Sequence, residues 1–127
     1  MNFPEGLKYT EEHEWLKETD NDTALVGITD YAQAQLGDIV FVNLPQVGDK
    51  LTVGKPLGDV ESVKAVSDVH SPVTATVKAV NEKLFDNPAD INKVPYDAWL
   101  VEVENITERL DLMETSAYKQ YCTDKND

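Results

Sequence analysis

Between Val60 and Val69 the chain is nearly its own mirror image. Read outward from the Lys64-Ala65 junction, Val63 faces Val66, Ser62 faces Ser67, Glu61 faces Asp68 and Val60 faces Val69. Two β-rich arms folded back on a tight turn bring such residues opposite one another. This predicts a hairpin with Lys64 at or beside its tip, in a register that can slip by one. The tip contains neither Asn-Gly nor Asp-Gly, the dipeptides that favour two-residue turns. Two acids placed opposite each other also cost stability. The turn was not selected for strength, so the lysine becomes the candidate functional residue.

The rest of the chain reads mostly as short strands. Val73–Val80 alternates with period two and is the clearest strand by pattern. Residues 24–28 form another, after which Thr29 is a helix N-cap, Asp30 suits the first turn, and Gly37 can end the helix. The continuous apolar run 39–42 predicts a strand covered on both faces. Residues 1–12 read as an irregular arm before a strand near 14–18, with a turn at Asp20-Asn21-Asp22. Residues 51–53 and 57–63 add strands. Residues 81–92 make a helical or irregular excursion broken by Pro88, and 99–103 close the sheet. From Thr107 a helical tail is expected over 107–127. The sum is a mostly β fold, a β-sandwich or flattened barrel with short helices and a C-terminal helix, as one domain over 1–127.

Charge narrows the partners. With 24 acidic and 11 basic residues the net charge is −13, which repels nucleic acid and anionic membranes. It suits docking on basic patches of other proteins, and solubility alone explains it equally well. One cysteine, Cys122, allows no internal disulfide and fits a reducing, cytoplasmic setting. The start has no signal or transit character; a mitochondrial matrix location would follow if a presequence had been removed.

Several segments carry a resemblance when taken in order. These are Lys8-Tyr9-Thr10, Glu12-His13-Glu14-Trp15, the run from Val26 to Gln33, Leu36-Gly37-Asp38, and Val60-Glu61-Ser62-Val63-Lys64-Ala65 with Ser67-Asp68. Ser71-Pro72-Val73 and Pro95-Tyr96 before Trp99 continue it. Over roughly residues 6–121 the chain resembles the H-protein family of the glycine cleavage system, a lipoyl-carrier family. The resemblance implies a lipoyl-domain-like barrel-sandwich hybrid that catalyses nothing alone, with lipoate joined by an amide to Lys64.

The partners implied are a pyridoxal-phosphate (PLP) glycine decarboxylase, a tetrahydrofolate-dependent aminomethyltransferase, dihydrolipoamide dehydrogenase and a lipoate-attaching enzyme. The carrier itself is expected to be a monomer. It would shuttle an aminomethyl group between the first two and be reoxidised by the third. Biotin carriers share the turn but flank their lysine with methionines, whereas Val63 and Ala65 flank this one.

Two departures stand out. Ala75 replaces a family glycine, which would strain the backbone if that position needs positive φ, and the loop before Trp99 is short. Glu14, Glu61, Asp68 and Glu12 are candidates for contact with the arm or its ligase. Their bland reading is solvated acids. The spacing in Glu12-His13-Glu14 is poor for a metal site, and His13 reads as a structural hydrogen-bonding residue. Trp15 and Trp99 read as core. Alternatives are an H-like carrier in lipoate or sulfur relay, an unmodified acidic interaction module, and a hydrolase using Glu12 and Glu14.

Overall fold

The computed structural model describes residues 1–20 and 22–125. The expected turn at Asn21 and the last two residues of the tail lie outside the described residues.

Two antiparallel sheets pack face to face. The larger contains β1 (Lys8–Tyr9), β2 (Glu14–Asp20), β3 (Thr23–Ile28), β9 (Val101–Arg109), β8 (Val73–Val80) and β5 (Lys50–Leu51), in that spatial order. The smaller is β4 (Ile39–Asn43), β6 (Pro56–Ser62) and β7 (Val66–His70). The main core joins them through Leu16, Val26, Val77 and Val103 on one side and Val42, Val60 and Val69 on the other. Each such side chain contributes roughly 1.5–3 kcal/mol by leaving water. The smaller sheet therefore has one anchored face and one solvent face, a rigid base for whatever its hairpin presents.

Helix α1 (Asp30–Leu36) forms as its sequence signals. The Thr29 hydroxyl accepts the Ala32 N–H at 3.2 Å, and Gly37 ends the helix at φ +82°, a conformation glycine adopts freely. The excursion after Val80 resolves into α2 (Lys83–Asp86) and α3 (Asp90–Lys93), separated at Pro88. Within the irregular arm, β1 pairs Lys8 with Leu16 and Tyr9 with Trp15.

Four expectations need correction. The helical tail does not begin at Thr107: β9 runs through Arg109, Met113 forms an isolated bridge to Tyr9, and helix α4 spans Thr115–Lys125. Pairing of Val73 with Arg109 and Thr74 with Glu108 along β8 holds that stretch extended. The run 39–42 is not covered on both faces. A bulge between Ile39 and Phe41 turns Val40 and Phe41 both to solvent, 49% and 50% exposed, while Ile39 and Val42 are buried. Ala75 carries no positive-φ strain; the only non-glycine residues with positive φ among the described residues are His13 and Asn105. It lies in extended β8 opposite Leu51. The hairpin register also differs, as described below.

Helix α4 returns to cover a second, aromatic cluster. Tyr118 stacks on Tyr9 with ring centroids 4.5 Å apart, and its hydroxyl meets Thr29 Oγ1 at 2.7 Å and His13 Nδ1 at 2.8 Å. Burial pushes the Tyr118 phenol well above its ordinary pKa, so it stays neutral. His13 is thus the structural histidine expected. Trp15 is fully buried and donates Nε1–H to the Pro95 carbonyl at 3.1 Å; Trp99 is only half-buried, at the margin of this cluster. Cys122 packs inside it, 3% exposed. No helix among the described residues is long and apolar enough to cross a membrane.

Candidate functional site

Strands β6 and β7 form the expected hairpin, centred one residue earlier than the mirror symmetry suggests. Glu61 pairs with Val66, Val60 with Ser67 and Asp59 with Asp68, so the loop residues are Val63 and Lys64. The reason is local. Ser62 N–H donates to the Ala65 carbonyl at 2.7 Å, and the Ser62 hydroxyl accepts the N–H groups of Lys64 and Ala65 at 3.2 and 3.1 Å. A serine side chain closes the turn where no Asn-Gly is present. The Val63 N–H then donates to the Asp38 carbonyl at 3.0 Å, tying the tip to the connection between α1 and β4.

That connection is itself clamped. Asn92 on α3 accepts the Ile39 N–H on Oδ1 at 2.8 Å, and its Nδ2 donates to the Gly37 carbonyl and to Gln33 Oε1, both at 2.9 Å. Three bonds from one side chain therefore hold the segment on which the tip rests. The stem of Lys64 passes Gly37 closely enough that a Cβ there would lie 3.6 Å from Lys64 Cε. Sequence reading missed both Asn92 and this neighbour, because each acts across the fold with no local pattern.

Lys64 itself is exposed, and among the described residues it takes part in no ion pair. An amine in that state is open to acylation. A covalent acyl group fits here: the backbone behind the lysine is braced and the side chain projects into solvent.

The acidic candidates separate. Glu61 and Asp68 are both exposed on the hairpin, opposite Val66 and Asp59 rather than each other. Asp68 lies about 13 Å of strand from Lys64, at ~3.3 Å per residue. Glu14 is buried, 1% exposed. Its Oε1 accepts the Thr10 hydroxyl at 2.5 Å, and its Oε2 accepts the His70 N–H at 3.2 Å. Burial raises its pKa, opposed by these hydrogen bonds. The carboxylate thus joins the β1–β2 turn to the far end of β7. Glu12 is exposed and, with Thr10, His70, Leu110 and Asp111, lines a cleft of about 410 Å³ above that joint. The structure brings Glu12 and Glu14 to one corner and Glu61 and Asp68 to the hairpin. Strand β7 links the two, carrying Asp68 two residues before His70.

A braced β scaffold that offers one solvent-exposed lysine at a hairpin tip defines a carrier domain, whose chemistry is borrowed through an attached group. The sequence model of the family described as Glycine cleavage H-protein matches residues 7–125. The chain is 50% identical over 121 residues to the glycine cleavage system H protein of Lachnoclostridium phytofermentans, covering 95% of each chain. It is 51% identical over 120 residues to a probable glycine cleavage system H protein of Pyrococcus furiosus, covering 92% of this chain and 90% of that one. The crystal structure of a glycine cleavage system H protein from Mycobacterium marinum superposes with a TM-score of 0.86 at 36% identity, covering 98% of this chain and 99% of that one. The chain belongs to the glycine cleavage H-protein family. That family is the lipoyl carrier of the glycine cleavage system, a component that is not itself a catalyst.

Proposed function

We propose that Lys64 carries lipoate through an amide on Nζ, and that the chain shuttles an aminomethyl group within the glycine cleavage system. The observation that supports this is the exposed amine, in no ion pair among the described residues, on a turn closed by Ser62 and braced through Asp38. Acylation replaces a charged amine by a neutral amide and extends the side chain to on the order of 14 Å, from bonds near 1.5 Å. When attached, lipoate supplies a dithiol–disulfide couple that takes up the one-carbon unit and later gives up two electrons.

The chain's own residues do the rest. Ser62, Asp38 and Asn92 hold the base of the arm. Glu61 and Asp68, within the arm's span, attract a cationic load or the basic surface of a ligase. Glu12 on the rim of the cleft and Glu14 beneath it give that corner negative character, which suits an ammonium-like group. The strand contour from Lys64 to His70, about 20 Å, is an upper limit on the separation to be crossed.

The partners are a pyridoxal-phosphate glycine decarboxylase, a tetrahydrofolate-dependent aminomethyltransferase, dihydrolipoamide dehydrogenase and a lipoate-attaching enzyme. Each must visit the same arm in turn, which a monomer with this lysine at its hairpin tip permits. A buried thiol at Cys122 suits a cytoplasmic setting.

The test is reconstituted glycine cleavage with all partner enzymes and Lys64→Arg. Arginine keeps charge and length but cannot form the amide, so turnover should disappear. Unchanged turnover would refute the proposal.

A further inference from the structure

The geometry points to the solvent face of the three-stranded sheet as the docking surface of the enzyme that acylates Lys64. Contact is made through Phe41 and Val66, which flank Glu61 in the row nearer the tip, and through an acidic row at Asp59 and Asp68. This rests on the reading of Lys64 as an acylated residue.

The register defines the rows. Phe41 pairs with Glu61, and Glu61 with Val66, so these side chains lie abreast across β4, β6 and β7. Asn43, Asp59 and Asp68 form the next row on the same face, two residues further from the tip and about 7 Å away. Phe41 is 50% exposed and Val66 63%, with Val63 at 69% beside the lysine. Single exposed apolar residues are ordinary; here Phe41 and Val66 flank the exposed Glu61 in one row, and a third, Val63, stands beside the lysine, a grouping that suits a contact surface. The bulge at Val40 is the device that turns Phe41 outward; regular alternation would not expose two neighbouring apolar residues.

The acidic row says what the partner brings. Asp59 and Asp68 stand directly opposite, an arrangement that costs stability. Asn43 Nδ2 donates to one Asp59 oxygen at 2.9 Å, and among the described residues neither aspartate has an ion pair. An arginine or lysine inserted between them would pair with both. The complementary surface is therefore a pair of apolar contacts that leave room for Glu61 between them, with a basic side chain about 7 Å away.

Reach selects which enzyme. A bare lysine extends only about 6 Å from the backbone, from five bonds near 1.5 Å. Whatever acylates Nζ must bring its acyl donor that close, so its body covers the adjoining sheet face. In that step Nζ attacks the carbonyl of an acyl adenylate. The C–N bond forms, AMP leaves with the electron pair of the broken C–O bond, and the nitrogen loses a proton. Enzymes that use the loaded arm meet it on the order of 14 Å out and need not touch this face.

The experiment measures acylation of the unmodified protein by a purified lipoate ligase with lipoate and ATP. Phe41→Ser and Val66→Ser should each raise KM for the carrier about tenfold, with kcat within about twofold. Phe41→Leu should retain the wild-type KM. Val47→Ser, at a valine equally exposed elsewhere (65%), should change nothing. Asp59→Asn with Asp68→Asn should flatten the decline of kcat/KM with ionic strength. Thermal unfolding controls for the fold, and Val66→Ser on an edge strand serves if Phe41→Ser is unstable. Wild-type KM in folded Phe41→Ser or Val66→Ser overturns the docking surface while leaving Lys64 acylation intact. Failure to acylate the wild-type protein overturns both.

Discussion

The Ser62 hydroxyl accepts the backbone N–H of Lys64 at 3.2 Å, so the residue two before the lysine sets the shape of the loop that presents it. The same oxygen accepts the Ala65 N–H, and Ser62 is buried. Ser62→Ala leaves both N–H groups without that acceptor. The expected cost is about 1–2 kcal/mol, with faster amide exchange at Lys64 and Ala65 than at core strands. Hydrogen exchange read residue by residue checks this; unchanged protection at those two amides would contradict it.

Asn92 should matter more than its position on a short helix suggests. Asn92→Ala removes three hydrogen bonds and leaves the Ile39 N–H without its acceptor. A loss of about 2–3 kcal/mol follows from the unsatisfied backbone group, seen as a lower denaturant midpoint. Acylation of Lys64 should also slow, because the segment supporting the tip is freed.

Glu14 gives a pH dependence of definite sign. Burial raises its folded pKa, so the folded protein holds this proton more tightly than the unfolded chain. That contribution is complete below the unfolded value of about 4.3 and is lost as pH rises through the raised folded value. Glu14→Gln removes the loss, since its oxygen can still accept from His70 N–H and its amide can donate to Thr10 Oγ1. The variant should gain stability relative to wild type as pH rises from about 4 to 7, measured by denaturant titration at each pH.

Two glycines make close approaches rather than turns. A Cβ on Gly58 would sit 2.2 Å from the Asn43 carbonyl oxygen, and one on Gly27 would sit 2.5 Å from the Trp15 ring. Both alanine variants should destabilise by about 1–3 kcal/mol. Gly58→Ala should be the worse, because a ladder carbonyl cannot rotate away as a side chain can. Comparative thermal unfolding decides the order.

Much of this molecule is legible in its sequence where the signal is local. The period-two alternation of Val73–Val80, the Thr29 cap with Gly37 as stop, and the hairpin with Lys64 near its tip all appear in the fold. What the sequence hides is set by pairing across the fold. Mirror symmetry placed the hairpin axis at Lys64-Ala65, but the Ser62 hydroxyl closes a loop one residue earlier. Four apolar residues in a row looked like a covered strand, yet a bulge gives Val40 and Phe41 to solvent. The helical reading of residues 107–109 yielded to the ladder with β8. Glu12 and Glu14, adjacent in pattern, diverge because β2 buries only one of them.

The central claim is that the Lys64 amine is the attachment point of the arm. The most direct measurement is peptide mass spectrometry of the protein isolated from its native host. Tryptic cleavage after Lys64 should be blocked, and the peptide spanning it should carry the added mass of a lipoyl group. Free, fully cleavable Lys64 in a host that lipoylates its other carriers would contradict the account.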